Sequence, residues 1–413
     1  MRRSDIELLA PAGSWAGLSA ALRAGADAVY FGVGALNMRS ASAANFKRAD
    51  LRKLVAMAHG GGAKAYLALN VTLFDDELDE MRASLDAAAE AGVDAAIASD
   101  QAAIAYAAAI GLPAHLSTQL SISNLESLRF YAPWADVAVL ARELSLERVA
   151  AIVAGIERDD IRGPSGELLR VELFAHGAFC MATSGSCYLS LHQYGSAANR
   201  GACLQPCRRR YRLADLETGQ ELAVDDEYLL SPKDLKTIHF LDRMLAAGVR
   251  VLKIEGRARP PEYVDATVRC YREALEALED GSYGPERVAA WDRRLAAVFN
   301  RGFWDGHYLG RRQSELSGRY GSAATRRRAY AGYCSNWYAA RGVASFVIED
   351  EAVAPGDELL VVGPTTGALE ARPDEIWLDG TPVSAAGRGS EPSFALPRKA
   401  RRGDKLYKLI PTA

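Results

Sequence analysis

Short apolar runs alternate with alanine-rich amphipathic stretches along the first 260 residues of the chain. Apolar runs of this length are typical of strands buried on both faces, and the stretches between them have the spacing of helices. The predicted strands are Ile6–Ala10, Ala28–Val33, Ala65–Val71, Ala95–Ala98, Ala114–Leu116, Val137–Leu140, Val171–Phe174 and Val251–Ile254. The predicted helices are Trp15–Arg23, Leu51–His59, Glu77–Ala91, Gln101–Ala109, Leu125–Tyr131, Ser145–Ala154 and Pro261–Leu278.

This alternation indicates an α/β fold built from parallel βαβ units. Eight such strands favour a TIM-like (β/α)₈ barrel over an open sheet. Gly32-Val-Gly34 is followed by Ala35, so the third glycine of a dinucleotide-binding loop is absent. We therefore predict a barrel over residues 1–280, with a cysteine-rich insertion, 177–230, after the seventh strand. That insertion would open at the C-terminal face of the barrel, where active sites lie.

The pattern changes beyond residue 280. A helix over Glu286–Phe299 and a glycine-punctuated aromatic stretch predict a helical connector over residues 281–325. Residues 326–413 predict a small C-terminal β-barrel domain, because strand-like runs alternate with turn signals such as Pro355-Gly356-Asp357. These runs lie at Tyr333, Val343–Ile348, Glu358–Val362, Glu375–Leu378 and Lys405–Leu409.

Composition is that of a globular protein, with 49% hydrophobic and 24% charged residues in a chain of 413. The formal net charge is −3, so any contact with nucleic acid must use local basic patches. No apolar stretch is long enough to predict a membrane span. The first residues lack the apolar core and cleavage site of a signal peptide, so we expect a cytoplasmic protein. The oligomeric state is not predicted.

Four of the six cysteines fall within one short segment, at Cys180, Cys187, Cys203 and Cys207. Glycines at Gly185, Gly195 and Gly201 supply the backbone freedom that loops around a metal use. Three hypotheses compete. Four thiolates suffice for a [4Fe–4S] cluster, whereas a structural zinc site usually shows two close cysteine pairs and only Cys203 and Cys207 form one. Two disulfides would require an oxidising compartment.

A family resemblance adds to these hypotheses. The string Glu172-Leu-Phe-Ala-His-Gly-Ala-Phe-Cys180, followed by Gly185-Ser-Cys187-Tyr-Leu-Ser190, resembles the signature of peptidase family U32, the collagenase-like proteins. Further stretches agree with the family over most of the chain. They are Leu9-Ala-Pro-Ala-Gly13, Ser117-Thr-Gln119 with Asn124, Ala141-Arg-Glu-Leu-Ser145, Ser231-Pro-Lys-Asp-Leu235, Lys253-Ile-Glu-Gly-Arg257 and Asn300-Arg-Gly-Phe303.

The resemblance carries functional expectations. Similar members include prephenate-dependent tRNA uridine hydroxylases, a ribosomal RNA cytidine hydroxylase and oxygen-independent ubiquinone hydroxylation proteins. In that branch the four cysteines hold a [4Fe–4S] cluster. The resemblance implies that this chain is an RNA-modifying hydroxylase. Its partners would be RNA, namely tRNA, and a small dicarboxylate co-substrate, prephenate.

Three further functions remain open, and the first is the hydroxylation of a ubiquinone-type small molecule. The family name implies a collagenase-like peptidase, although the chain has neither H-E-x-x-H nor the G-x-S-x-G nucleophile motif. The third hypothesis is a non-catalytic RNA-binding protein with a structural metal.

Polar residues just past the predicted strand ends are the candidates for chemistry in a barrel. We expect catalytic roles for Arg142, Glu143, His176, Glu255 and Arg257. We expect Asn70, Gln119, Arg142, Lys253 and Arg257 to bind substrate, because guanidinium groups can hold carboxylates through two hydrogen bonds each.

Each candidate also has a structural interpretation. Arg142 and Arg257 would form ion pairs with their neighbours, Glu143 and Glu255. His176 would be a buried structural histidine. Glu172, within the seventh strand, requires a cationic partner such as Lys253 or Arg257, because charges are almost never buried unpaired.

Basic runs concentrate positive charge, as binding to a phosphate backbone requires. They are Arg208–Arg210 with Arg212, Arg326–Arg328, and Arg398–Lys399 with Arg401–Arg402. One run directly follows Cys207, which would place RNA phosphates beside the cysteines. Aromatic residues of the C-terminal domain either stack on bases or pack in its core. They are Tyr330, Tyr333, Trp337 and Tyr338.

Overall fold

The structure, a computed structural model, describes residues 2–183, 186–222 and 228–412. Its strands are β1 (Glu7–Pro11), β2 (Ala28–Phe31), β3 (Lys64–Leu69), β4 (Ala95–Ala98), β5 (Ala114–Leu116), β6 (Ala135–Val139), β7 (Arg170–Gly177), β8 (Leu213–Ala214), β9 (Glu221–Leu222), β10 (Asp234–Lys236), β11 (Val251–Ile254), β12 (Phe303–Trp304), β13 (Arg326–Tyr338), β14 (Val343–Ile348), β15 (Leu359–Gly363), β16 (Gly367–Ala371), β17 (Ile376–Leu378), β18 (Thr381–Val383), β19 (Ser393–Ala395) and β20 (Lys405–Pro411). Its α-helices are α1 (Trp15–Arg23), α2 (Leu51–Gly60), α3 (Leu78–Ala91), α4 (Gln101–Ala109), α5 (Leu125–Tyr131), α6 (Leu146–Arg158), α7 (Leu189–Tyr194), α8 (Leu241–Ala246), α9 (Pro261–Glu279) and α10 (Pro285–Ala297).

Eight parallel strands close into the predicted (β/α)₈ barrel. The order around the barrel is β11, then β1 to β7, and β7 pairs with β11 to complete the ring. Helices α1 and α6 begin at serine N-caps, Ser14 and Ser145, whose side chains accept a backbone N–H of the first turn. The predicted fold class is therefore confirmed, and several elements, including β4, β11, α1 and α4, have the predicted bounds.

Strand β7 is longer than predicted, and this changes the position of one candidate residue. The sequence predicts an end at Phe174, but the strand continues through His176 to Gly177 and pairs there, antiparallel, with β10. β12 then adds to β10, so the sheet extends beyond the barrel. His176 consequently lies within a strand and not in a loop past its end.

The segment predicted as a connector, residues 281–325, packs against the outer helices of the barrel. Trp291 and Leu295 of α10, Trp304 of β12 and the following Tyr308 are buried in the same hydrophobic cluster as the barrel helices. The Tyr308 hydroxyl donates to the carbonyl of Phe174 at 2.9 Å, which links this segment to β7. The segment thus supports the end of the strand that leads into the insertion.

The C-terminal residues form a separate eight-stranded antiparallel sheet. Its own core includes Phe346 and Phe394, whose rings stack 4.8 Å apart. The strands at 367–371, 381–383 and 393–395 are not predicted from the sequence, because they are short or lack a clear alternation. The sheet docks on α1, where Ser19 Oγ donates to the carbonyl of Pro364 at 2.6 Å. Gly367 has φ +72° against the Ala20 backbone, so a side chain there would collide with the helix.

The insertion covers the C-terminal face of the barrel. It contains α7 and a two-stranded hairpin of β8 and β9. Gly185 and residues 223–227 of the predicted insertion lie outside the described residues. None of the helices in the described ranges is long and apolar enough to cross a membrane.

Candidate active site

A cavity of about 340 Å³ lies at the mouth of the barrel, between the strand ends and the insertion. All four clustered cysteines line it: Cys180, Cys187, Cys203 and Cys207. Six of the predicted polar residues line it as well: Asn70, Gln119, Arg142, Lys253, Glu255 and Arg257. The fold therefore brings the cysteines and most of the candidate polar residues into one place.

The cysteines present thiols to this cavity. None of the six cysteines forms a disulfide in the structure. Burial raises the pKa of Cys207 to about 11 and also raises the pKa of Cys203. Burial therefore favours the neutral thiols, and a bound cationic group would reverse that preference, because metal coordination deprotonates thiols.

The donor set can be tested against the two metal hypotheses. Among residues 2–183, 186–222 and 228–412, no three His, Cys, Asp or Glu side chains are arranged to hold a metal ion. A zinc ion draws its four ligands to one centre, whereas each thiolate of a [4Fe–4S] cluster binds a different iron and stands farther from the others. The four thiols that line the cavity are donors that either group would use.

Backbone and arginine contacts hold the insertion over the barrel. Gly201 has φ +82° and lies so close to Asn37 that a Cβ would be 2.2 Å from its carbonyl oxygen. Arg200 forms an ion pair with Glu77 at the start of α3. Arg208 donates to the carbonyls of Phe179 and Pro232, both at 2.6 Å. Arg208 thus joins the two ends of the insertion.

An ion pair forms one wall of the cavity. Arg39, from the loop after β2, donates to Glu255 Oε1 at 2.9 Å, and Glu255 follows β11. Burial raises the pKa of Glu255, but the charges of Arg39, Arg259 and Arg257 outweigh that effect and hold the pKa below its usual value. The carboxylate is therefore ionised at neutral pH.

Arg257 and Arg142 reach the cavity without a carboxylate partner. Arg257 donates to Asn37 Oδ1 at 3.0 Å, and burial lowers its pKa to about 10. Arg142 lies 5.0 Å from the ring centroids of both Phe174 and Phe179. In the described chain Glu255 pairs with Arg39, so the expected pair of Arg257 with Glu255 is absent. Both guanidinium groups keep donors for a ligand.

Beneath the cavity, Lys253 pairs with Glu172. The Lys253 ammonium lies 2.8 Å from Glu172 Oε1 and 4.8 Å from the centroid of the Tyr30 ring. Glu172 is fully buried, and its Oε2 has no hydrogen-bond partner in the described structure. Burial raises the pKa of Glu172 against the opposing charge of Lys253. Of the two cationic partners expected for Glu172, Lys253 is the one that pairs with it.

Two amide side chains complete the wall. Asn70 accepts from the backbone N–H of Met38 at 3.2 Å and donates to Ser117 Oγ at 3.3 Å. Gln119 lies in a single 3-10 turn after β5. These contacts hold the loops after β2, β3 and β5 together at the rim.

Two candidates lie outside the cavity. His176 is buried between Tyr263, Tyr271 and Phe303, and burial lowers its pKa to about 3, so it is neutral at physiological pH. Glu143 is exposed and lines a neighbouring open pocket. We expected both side chains to face the cavity, and the structure does not place either of them there.

Sequence reasoning missed Arg39, Asn37 and Tyr30. Arg39 and Asn37 lie in a long loop after β2, several residues beyond the strand end. The fully buried Asn37 accepts from both Arg257 and the Arg39 backbone N–H, so it organises the cationic wall. The signal was available, because this loop carries polar residues at the same face as the other candidates.

Comparison with known proteins gives the following relatives. A sequence model described as Peptidase family U32 matches residues 13–318. A protein of Porphyromonas gingivalis named Collagenase is 51% identical over 408 residues, covering 99% of both chains. A tRNA hydroxylation protein of Bacillus subtilis is 34% identical and covers 66% of this chain and 63% of its own. The 23S rRNA 5-hydroxycytidine synthase of Escherichia coli is 37% identical and covers 66% of this chain and 40% of its own.

Proposed function

Because the chain belongs to peptidase family U32, we propose that it is an iron–sulfur enzyme that hydroxylates an RNA base, a tRNA uridine, without O₂. In this proposal prephenate supplies the oxygen atom. The observation that carries the proposal is the meeting of four cysteines and four cationic side chains, Arg39, Arg142, Lys253 and Arg257, in one cavity.

The cationic wall fits a small dicarboxylate. Arg142 and Arg257 each have guanidinium donors that no carboxylate of the described chain uses, and each can hold a carboxylate through two hydrogen bonds. Neighbouring residues hold both arginine side chains in place. The rings of Phe174 and Phe179 lie beside Arg142, and Asn37 accepts a hydrogen bond from Arg257. Such preorganised donors bind a dianion with little reorganisation.

Cys180, Cys187, Cys203 and Cys207 would hold the cluster in the same cavity. When bound, a [4Fe–4S] cluster would supply electron transfer beside the donor. The residues of the chain orient the two carboxylates and exclude water, since Arg142, Lys253 and Arg257 are all nearly fully buried. The net change is an oxygen-atom transfer: a C–H bond of the base becomes C–OH, and the donor loses one oxygen.

The RNA substrate is supported by the relatives named for tRNA hydroxylation and for 5-hydroxycytidine synthesis in rRNA. These names also favour a nucleobase over a ubiquinone-type small molecule. A non-catalytic scaffold would not require arginines whose donors are left for a ligand.

A peptidase is the second candidate, because the 51% identical relative is named Collagenase. The cavity itself opposes this function. A serine or cysteine nucleophile needs a nearby base, usually histidine, and all six histidines lie outside the residues that line this cavity. The peptidase is therefore tested as the alternative outcome.

The test is a hydroxylation assay with the anaerobically purified protein, unmodified tRNA and prephenate. Digested tRNA is examined by mass spectrometry for a nucleoside that gains one oxygen. We expect the product with the wild-type protein and with Cys270→Ala, whose cysteine is buried in α9 away from the cavity. We expect none with Cys203→Ser. Cleavage of collagen peptides by the wild type, without any modified nucleoside, would establish the peptidase instead.

A further inference from the structure

The insertion up to Ala214 carries a local excess of positive charge, whereas the charged residues of its remainder, 215–230, are all acidic. Residues 173–214 contain arginines at Arg200, Arg208, Arg209, Arg210 and Arg212 and no Asp or Glu, in a chain whose net charge is −3. Arg200 is neutralised by Glu77, and Arg208 is bound to backbone carbonyls. Arg209 and Arg212 lie at the surface. Their charge is directed outward.

Aromatic rings lie beside this charge. Helix α7 turns Leu189 toward the cavity and buries Ser190, while Tyr188, Leu191 and Tyr194 face outward on one side. Tyr188 is 70% exposed and directly follows Cys187, which lines the cavity. The Arg209 guanidinium lies 5.3 Å from the centroid of the Tyr194 ring. We call Tyr188, Leu191, Tyr194, Arg209 and Arg212 the roof surface.

The other predicted basic runs are less suited to RNA. Arg326 pairs with Glu358 and Glu370, and Arg328 pairs with Glu262. Arg398 donates to the carbonyl of Thr366 at 2.9 Å. Carboxylates or backbone groups already bind Arg326, Arg328 and Arg398, unlike Arg209 on the roof surface.

The aromatic residues of the C-terminal domain are also less suited. Tyr338 and Trp377 line a groove that contains four carboxylates and one arginine, Arg341. The carboxylates are Asp374, Glu375, Asp379 and Glu391. A phosphate backbone would be repelled there, so charge complementarity favours the roof surface.

We propose that the roof surface binds single-stranded RNA next to the target base. Nucleotides that flank the target stack on Tyr188 and Tyr194, and their phosphates contact Arg209 and Arg212. Sequence-tolerant binding of single strands combines such aromatic stacking with positive charge, and enzymes that modify a base take it out of its stack into a pocket. The inference rests on the proposed function, since the roof surface would guide the RNA substrate to the cavity that holds the four cysteines.

The experiment measures RNA binding by fluorescence anisotropy on the purified protein, without prephenate. The probes are a labelled oligouridine and the same strand in a duplex. We expect the single strand to bind more tightly than the duplex. Tyr188→Ala and Tyr194→Ala should each weaken binding of the single strand about tenfold, as the loss of one stacked base does. The matched control is Tyr320→Ala, which removes a 72% exposed tyrosine outside the roof surface.

The arginines are tested by salt dependence. Each lost phosphate contact reduces the slope of log K against log salt by about 0.7 for a single strand. Arg209→Gln and Arg212→Gln should each show that reduction, and Arg293→Gln, on the exposed side of α10, should not. Melting temperatures confirm that each variant is folded.

Three outcomes would overturn the inference. If both tyrosine variants bound RNA with wild-type affinity, the proposed stacking would be disproved. If both arginine variants kept the wild-type salt slope, the proposed phosphate contacts would be disproved. A change of oligomeric state in Tyr188→Ala, measured by sedimentation, would make the roof surface a contact between copies of the chain. Intact roof-dependent binding with no hydroxylation would contradict the proposed function alone, because the binding assay needs no chemistry.

Discussion

Charged side chains are paired differently at the two ends of the barrel interior. At the end where the strands begin, the Glu7 carboxylate accepts from the Tyr66 hydroxyl at 2.8 Å and lies 3.2 Å from Lys64 and 3.5 Å from Arg170. At the end where the strands finish, Arg142 and Arg257 enter the cavity with no carboxylate partner in the described chain. The Glu172–Lys253 pair separates the two ends.

This difference indicates where stability and where function reside. A carboxylate held by several donors is satisfied within the fold and contributes to stability. Buried arginines that form no ion pair keep guanidinium donors for a ligand. In barrels, polar groups at the C-terminal face belong to function and those at the opposite face to stability. The predictions below compare variants from the two ends.

The largest expected effect is at the central ion pair. Glu172→Leu leaves the Lys253 ammonium buried without a partner, so we expect a loss of about 3–5 kcal/mol in the free energy of unfolding, measured in urea. The double variant Glu172→Leu with Lys253→Met should recover most of that loss, because an apolar pair replaces a buried ion pair at little cost. Equal stability of the single variant and the wild type would show that the pair does not stabilise the barrel interior.

The second-largest expected effect is a loss of enzymatic activity that distinguishes the two ends of the barrel interior. Arg257→Lys removes the planar pair of donors from the cavity, and we expect kcat/KM for the dicarboxylate co-substrate to fall about 10²-fold. Arg170→Lys, the matched change at the opposite end, should leave kcat/KM unchanged. If the two variants behaved alike, the functional distinction between the ends would be lost.

The smallest effect is a dependence on pH at the end where the strands begin. Burial lowers the pKa of His115 to about 3, so it stays neutral in the fold, while in the unfolded chain it protonates below its usual value of 6.5. Its contribution is present above pH 6.5 and is lost at about 1.4 kcal/mol per pH unit as the pH falls from 6.5 toward 3. His115→Phe should lose less stability than the wild type between pH 7 and pH 5 in urea unfolding. An identical slope in the two proteins would show that His115 is protonated in the fold.

The sequence predicts the barrel well because its strands are buried on both faces and its helices have clear caps. It also predicts most of the cavity, since residues that directly follow parallel strands meet at one end. It fails for Arg39, which reaches the cavity from far along a loop, and for Asn37, which holds Arg257 from the same loop. It also fails for His176, because Ala175, His176 and Gly177 continue a strand that pairs with β10, a contact distant in sequence.

The charge runs show the same limit. Three arginine clusters look equivalent in the sequence, but Arg208 binds carbonyls and Arg326 binds carboxylates. Only the folded chain distinguishes these from Arg209, which lies over Tyr194 at the surface. Partners that are distant in the sequence decide whether a positive charge is available to a ligand.

We propose above that the four cysteines hold an iron–sulfur cluster in the cationic cavity. The most direct measurement is the iron, sulfide and zinc content of the anaerobically purified protein, together with its visible absorption spectrum. We expect a brown protein with about four irons and four sulfides per chain, both lost in Cys203→Ser. A colourless protein with one zinc, or with no metal at all, would contradict it.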